Sequence, residues 1–202
     1  MTDRLPIVVA ITGASGAPYA IRLVEALVFA QRPIWLIVSS HGSRLLATES
    51  DVDSVNTLRA RVGSSGWDAF VSLYEDTDRG ARPASGSARH GGMVICPCSM
   101  GTLSAIAHGS SRSLIERAAD VCLKERRRLI AVPREAPLSE IHLDNMLRLT
   151  RAGGIVVPAA PGFYHRPREI SDLVDFVVAR ILDLLDVPHT LVHRWGDGPL
   201  DA

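Results

Sequence analysis

The sequence predicts an α/β fold with a mostly parallel sheet, and two observations support this prediction. Short runs rich in Val and Ile alternate along the chain with longer segments whose apolar residues recur at helical spacing. Several of these runs are apolar throughout, which is typical of parallel strands covered by helices on both faces. Because no repeat or linker interrupts the alternation, residues 1–202 are predicted to form one domain.

The first half of the chain predicts a strand–helix–strand unit and then loses its pattern. LPIVVAIT is a continuous apolar run with several β-branched residues, and YAIRLVEALVFA has helical spacing with Pro18 near its first turn, where proline is tolerated. IWLIVS and GSRLLATE predict the next strand and a short helix. Residues 50–92 are rich in Gly, Ser and Ala, and they predict one strand over 70–74 and a long loop over 76–91.

The second half returns to regular alternation. SLIERAADVCLKER predicts a helix opened by a capping box of Ser113 and Glu116, and SEIHLDNMLRLTRAG predicts a helix that ends at glycine. The tail over 186–202 is polar and is expected to contribute to a site or to assembly. The predicted strands are 5–12, 34–39, 70–74, 93–97, 128–133 and 154–158, and the predicted helices are 19–30, 42–49, 101–109, 113–126, 139–153 and 171–185.

Composition excludes several classes of function. Lys plus Arg equals Asp plus Glu at 22 each, whereas a nucleic-acid-binding protein would carry a basic excess. No apolar run approaches the length of a membrane-spanning helix. The three cysteines follow no disulfide spacing, which favours reduced thiols in a cytoplasmic protein.

Small and polar residues follow most of the predicted strands. Because the carboxyl ends of parallel strands meet at one edge of a sheet, these residues are expected to lie close together, where open sheets bind ligands. They are Gly13, Ala14, Ser15 and Gly16, Ser39 and Ser40, Cys98 to Thr102, Arg134 and Glu135, and Phe163 to Arg166.

Two of these loops, GASGA and CSMGT, are small-residue turns that lead into helices. The N–H groups at a helix start favour an anion, and Ser or Thr adds a donor. Either turn alone is explained by chain reversal, but two at one edge beside Arg134 predict a site for a flat, phosphorylated ligand such as a nucleotide or a flavin. The G-A-S-G turn is only a weak match to the dinucleotide-binding motif G-x-G-x-x-G.

Cys96 and Cys98 are not predicted to bind a metal. They are one residue apart, closer than the ligand spacing of zinc sites, and no second Cys or His pair is suitably spaced. Small apolar cysteines at the end of a buried strand explain them better.

The longer motifs resemble those of the UbiX-like flavin prenyltransferases. The matching stretches include TGASGAPYAIRLVEAL, PASGS, VICPCSMGTLSAIAHG, LIERAADVCLKERRRLIAVPREAPLSEIHLDNMLRL and GFYHRPREISDLVDFVVARILDLL. They cover most of the chain except 50–82 and the last few residues. The resemblance implies a three-layer Rossmann-like or flavodoxin-like fold, a homododecamer, and transfer of a dimethylallyl group to N5 and C6 of reduced FMN. It also implies that no metal is needed and that UbiD-type decarboxylases use the product, prenylated FMN.

The resemblance also implies a set of site residues, which need not all come from one chain. The predicted FMN-binding residues are Gly13, Ala14, Ser15, Ser39, Ser99, Met100, Gly101, Thr102 and Arg134. The predicted residues for dimethylallyl phosphate are Lys124, Arg134, Glu135, Tyr164 and Arg180, with Ala84, Ser85, Gly86 and Ser87 lining the site. The predicted catalytic residues are Glu49 and Glu135 for proton movements, Ser15 as a relay, and Trp195 to face an allylic cation.

Two other functions remain open at this point. A flavoprotein that decarboxylates cysteine derivatives with FMN would share the fold, but PASGS replaces the PASANT-type motif of that group, and His41 is the nearest candidate for its catalytic histidine. A non-enzymatic, flavin-binding subunit of a decarboxylase would not need the phosphate-binding residues. A solvated helix end around KERRR and a surface position for Arg180 are the structural alternatives to binding roles.

Overall fold

The computed structural model describes residues 5–192, in which strands and helices alternate. The strands are β1 (Ile7–Ile11), β2 (Ile34–Val38), β3 (Val71–Glu75), β4 (Met93–Cys98), β5 (Leu129–Pro133) and β6 (Ile155–Val156). The α-helices are α1 (Ala17–Phe29), α2 (Ser40–Glu49), α3 (Val55–Val62), α4 (Ser64–Phe70), α5 (Met100–Ala107), α6 (Leu114–Lys124), α7 (Glu140–Arg151) and α8 (Ile170–Leu184), and Arg82–Ala84 forms a short 3-10 helix.

The strands form one parallel sheet in the order β3-β2-β1-β4-β5-β6. The chain builds outward from β1 in one direction and then crosses back to β4 on the other side of β1. The order of the strands therefore reverses between β1 and β4, and in such sheets a crevice for ligands opens there, outside the carboxyl ends of the strands. This arrangement confirms the predicted α/β fold.

Alternate residues of β1 belong to two different cores. Val9 and Ile11 pack in one cluster with the apolar faces of α1 and α8, whereas Val8 and Ala10 pack in another with α5 and α6. Burial on both faces explains why the strand reads as a continuous apolar run.

The prediction for 50–92 was wrong in part, because α3 and α4 precede the strand at Val71–Glu75. Helix α3 begins with a capping box in which Ser54 and Thr57 exchange hydrogen bonds of 3.0 and 3.2 Å. Each of the two helices buries a single large residue, Leu58 in α3 and Trp67 in α4. With so few apolar residues, neither helix has the periodicity that reveals a helix in a sequence.

Only one of the two hydrogen bonds of the capping box predicted at α6 is present. The Ser113 hydroxyl accepts a hydrogen bond from the Glu116 N–H at 3.4 Å, as expected of an N-cap. The Glu116 carboxylate, however, accepts from the Arg112 N–H at 2.7 Å and from its guanidinium at 2.9 Å. The Glu116 carboxylate therefore binds Arg112, one turn away, instead of the backbone N–H of Ser113 that a complete capping box would use.

Candidate active site

The carboxylate of Glu49 lies at the first turn of α1. Its Oε2 accepts hydrogen bonds from the backbone N–H groups of Gly16 at 2.8 Å and Ala17 at 2.9 Å. A helix start presents such N–H groups together with the positive end of the helix dipole, and both favour an anion. In this structure, the anion at the G-A-S-G turn is therefore a carboxylate of the chain itself.

Ser15 and Arg134 complete a cluster with Glu49. Nε of Arg134 donates to the Ser15 carbonyl at 3.2 Å, and the Ser15 side chain and the charge of Arg134 both act on the Glu49 carboxylate. Burial acts to raise the pKa of Glu49, but the hydrogen bonds from Ser15, Ala17 and Gly16 and the charge of Arg134 outweigh it and lower the pKa. Glu49 is thus ionised at neutral pH beside a hydroxyl and a cation.

Two glycines allow α2 to pack closely against β1, and this packing places Glu49 at the first turn of α1. A Cβ at Gly42 would lie 2.9 Å from the carbonyl carbon of Ile11 and closer still to its oxygen, which also accepts a hydrogen bond from the Ser39 N–H at 3.0 Å. A Cβ at Gly13 would lie 2.6 Å from the Cβ of His41. Both distances are too short for real Cβ atoms, so these positions require glycine.

Thr12 joins the two strands on either side of the crevice. Its hydroxyl donates to the Pro97 carbonyl at 2.9 Å and accepts from the Ser99 N–H at 2.8 Å, and its side chain is buried. The hydroxyl of Ser99 then caps α5 by accepting from the Thr102 N–H at 3.2 Å, and it lies 3.0 Å from the Thr102 hydroxyl. The predicted turn after β4 is therefore fixed to the end of β1 by a residue that the sequence analysis did not select.

A cavity of about 180 Å³ opens at this edge of the sheet. Two carboxylate residues that the sequence analysis did not place at this edge, Asp76 and Glu116, are among those that line it. Asp76 follows β3, and its carboxylate accepts from the Ile115 N–H at 3.0 Å. Extending the search for polar strand ends to β3 would have found it. The lining residues are Thr12, Gly13, Ser39, Ser40, His41, Asp76, Ser99, Thr102, Ser113, Ile115 and Glu116.

The other predicted residues of this edge have varied surroundings. Ala14 and Met100 are buried, and a Cβ at Gly101 would meet only the Ser99 hydroxyl oxygen, at 4.0 Å. Glu135 is exposed, and its carboxylate accepts from the Ala136 N–H at 3.2 Å. Tyr164 is 60% exposed, and its ring meets Phe176 edge to face at 5.6 Å between centroids.

Lys124 and the PASGS segment lie at the edge of the sheet where the strands begin, here called the amino edge. It is opposite the carboxyl edge, where the strands end and the cavity opens. Helix α6 runs back across the sheet and ends at Lys124, shortly before β5 begins at Leu129. The Lys124 ammonium pairs with the Glu125 carboxylate at 2.5 Å, and a Cβ at Gly86 would lie 2.9 Å from that ammonium. The guanidinium of Arg127 donates to the carbonyls of Ala88, at 2.9 Å, and Gly86.

Arg180 lies on α8, one helical turn after Phe176, whose ring contacts Tyr164. It is on the last turns of α8, where it pairs with Asp183 at 3.1 Å, and Asp186 beyond the helix pairs with Arg128 at the start of β5 at 2.8 Å. One chain therefore keeps Lys124 apart from Arg134, Glu135 and Tyr164, which follow the carboxyl ends of β5 and β6. Trp195 lies outside the described residues, and its role stays a prediction.

The cysteines are inert within this structure. Cys96, Cys98 and Cys122 are all buried, and burial raises the pKa of Cys98 and of Cys122 to about 12. Burial, and next to it the charge of Cys98, raises the pKa of Cys96 further. Thiols with such pKa values are not nucleophiles at neutral pH.

Within residues 5–192, no cluster of three or more His, Cys, Asp and Glu side chains is arranged to hold a metal ion. Over the same residues, no helix combines the length and the apolar character needed to cross a membrane.

A family model described as Flavoprotein matches residues 1–182. The chain is 50% identical to flavin prenyltransferase UbiX of Pseudomonas aeruginosa, over 95% of this chain and 94% of that protein. It is 47% identical to flavin prenyltransferase UbiX of Halalkalibacterium halodurans, over 94% of this chain and 92% of that protein.

Solved structures agree with these relatives. The crystal structure of AnUbiX in complex with FMN and dimethylallyl pyrophosphate matches with a TM-score of 0.89 and 42% identity, over 96% of this chain and 99% of that one. A dodecameric FMN-dependent UbiX-like decarboxylase from Escherichia coli matches with a TM-score of 0.86 and 40% identity, over 95% and 99% of the two chains. A PPC decarboxylase mutant, at 16% identity and a TM-score of 0.56, shares the fold alone. The chain therefore belongs to the flavoprotein family and, within it, to the UbiX flavin prenyltransferases.

Proposed function

We propose that this protein is an enzyme that joins the dimethylallyl group of dimethylallyl phosphate to N5 and C6 of reduced FMN. The observation that carries the proposal is the cluster of Ser15, Glu49 and Arg134 at the point where the strand order reverses. The relatives at 42–50% identity are flavin prenyltransferases or a UbiX bound to FMN and dimethylallyl pyrophosphate, which favours this function over the cysteine decarboxylase alternative.

The crevice has the chemistry that a flavin mononucleotide needs. Small residues let a flat ring approach the backbone, and the Ser39, Ser99 and Thr102 hydroxyls offer hydrogen bonds along the cavity wall. Gly13, Ala14, Ser15, Met100, Gly101 and Arg134 complete the proposed FMN-binding set. When bound, reduced FMN supplies the two nucleophilic ring atoms to which the prenyl group becomes attached.

The proposed catalytic work of the chain is to stabilise a departing phosphate and to move protons. Arg134 is exposed beside the Ser15 carbonyl, so its charge is available to the phosphate. Glu49 accepts a proton through the Ser15 hydroxyl, which acts to keep this carboxylate ionised, and Glu135 is the second carboxylate for proton movement.

The proposed phosphate-binding set requires two copies of the chain. Because Lys124 and Ser85 to Ser87 lie at the amino edge, a neighbouring copy must bring them to Arg134 and Tyr164. The dodecameric UbiX-like relative supports a homododecamer as the working form of this chain. We further propose that the enzyme acts in the cytoplasm and that a UbiD-type decarboxylase uses the product.

An anaerobic assay with purified protein, reduced FMN and dimethylallyl phosphate tests the proposed function. We expect a product heavier than FMN by one five-carbon prenyl unit, detected by mass spectrometry. A parallel reaction with dimethylallyl pyrophosphate identifies the donor. Absence of this product with either donor, from a protein that binds FMN, would reject the proposed reaction.

A further inference from the structure

The amino-edge phosphate subsite contains a carboxylate that the proposed reaction does not use. Glu125 follows Lys124 directly and pairs with its ammonium at 2.5 Å, while both side chains remain partly exposed. The hydrogen bond and the charge of Lys124, helped by the charge of Arg127, lower the pKa of Glu125, so the carboxylate is ionised at neutral pH. A fixed anion is thus present where an anionic substrate group is expected to bind.

Close packing distinguishes this pair from an ordinary surface ion pair. A Cβ at Gly86 would lie 2.9 Å from the Lys124 ammonium and 3.1 Å from the Glu125 carboxyl carbon. The hydroxyls of Ser85 and Ser87, on either side of Gly86, are 3.0 Å apart. Arg127 holds the same segment through the Gly86 and Ala88 carbonyls. The ion pair therefore lies directly against the hydroxyl-bearing segment that is proposed to line the donor site.

Resting on the proposed function, we propose that Glu125 is a charge-selecting residue of the donor site. Its carboxylate pairs with the Lys124 ammonium until the phosphate of the donor displaces it. The same carboxylate disfavours donors of higher negative charge. The physical reason is competition and repulsion. The phosphate must take Lys124 from a carboxylate that stays nearby, and each further negative charge on the donor is repelled by that carboxylate. Dimethylallyl pyrophosphate carries more charge than the monophosphate and is disfavoured more.

The variant Glu125→Gln keeps the shape of the side chain and removes its charge. Under anaerobic steady-state conditions at low salt, we expect KM for dimethylallyl phosphate to fall about two- to five-fold, the range of an exposed ion pair. KM for the pyrophosphate should fall by a further factor of about two to three, the effect of one charge at several ångströms in water. The kcat with either donor should change little.

Two further variants separate this effect from general ones. Asp68→Asn makes the same change of charge in the exposed Arg59–Asp68 pair, which also measures 2.5 Å but lies on α3 and α4, and it should leave both KM values unchanged. Gly86→Ala should displace the flexible ends of the Lys124–Glu125 pair without altering any charge, and should shift both KM values in the same direction as Glu125→Gln.

The outcome that overturns the inference is an unchanged or raised KM in Glu125→Gln, or an equal change for both donors. Calorimetric titration of wild type and Glu125→Gln with inorganic phosphate and pyrophosphate tests the same selection without turnover. Tighter binding by the variant, with the larger gain for pyrophosphate, supports the inference, and equal binding by the two proteins contradicts it. Failure of the wild-type protein to prenylate FMN would instead count against the proposed function.

Discussion

Replacing Glu49 with Gln is expected to reduce the rate of FMN prenylation by about 10²- to 10⁴-fold, the usual contribution of a positioned acid or base. The amide oxygen of Gln still accepts from the Gly16 and Ala17 N–H groups, so the turn should keep its shape. The amide cannot accept the proton that Ser15 would pass to a carboxylate. Single-turnover kinetics by mass spectrometry measure the loss, and quenching of flavin fluorescence should show that FMN still binds.

The neighbouring Asp51→Asn is the matched control, because it removes an exposed carboxylate close to the same helix end. It should turn over at the wild-type rate. Wild-type turnover by Glu49→Gln would refute the catalytic role of this carboxylate.

The same substitution tests the electrostatics of the α1 start. The pKa of Glu49 in the folded protein is lowered from its ordinary value of 4.5, so its stabilising effect is fully present above that value and is lost as pH falls through the folded pKa. Urea unfolding at pH 7 should show Glu49→Gln to be less stable by about 0.5–1 kcal/mol, the worth of a carboxylate at a helix N-terminus. The difference between the two proteins should disappear at pH values well below 4.5; a difference that persists there would have another cause.

Gly42→Ala is expected to lower the free energy of unfolding by about 3 kcal/mol, at the upper end of overpacking substitutions. The new methyl group would meet the backbone of Ile11 rather than a side chain that can rotate away. Helix α2 would have to move outward, and the Glu49 carboxylate at its other end would move with it. Turnover should therefore fall together with the urea midpoint.

Gly80→Ala is the control for this change. Its Cβ would meet only the Asp78 carboxylate oxygen, at an ordinary 3.4 Å, so stability and turnover should stay at wild-type values. A Gly42→Ala protein as stable and active as wild type would show that the contact between α2 and β1 is not needed.

The sequence predicted the sheet and one edge of the site well, because both depend on local patterns. Apolar runs mark the strands, and the parallel arrangement then places the residues after β1 and β5, such as Ser15 and Arg134, at a common edge. Helices α3 and α4 lack an apolar face and were missed. The contact of Glu49 with the α1 start depends on the packing of α2 against β1, a property of the tertiary structure that no local pattern contains.

The position of Lys124 could be predicted from the topology of the fold, although the motif suggests that Lys124 and Arg134 lie close together. Helices that connect parallel strands return to the amino edge, so the end of α6 has to lie opposite the turn that holds Arg134. The motif that runs from LKERRR into PRE is continuous in the sequence, yet it crosses the whole sheet through β5.

Because the proposed site needs two copies of the chain, defects in its two edges can be separated by genetics. A chain that lacks Glu49 is defective at the carboxyl edge, and a chain that lacks Lys124 is defective at the amino edge. A proposed site at the interface of the two chains can therefore be built from the intact edge of each. Two alleles that are each null should therefore restore part of the activity when expressed in the same cell. Two alleles with defects at one edge, such as Glu49 and Arg134, should fail to do so.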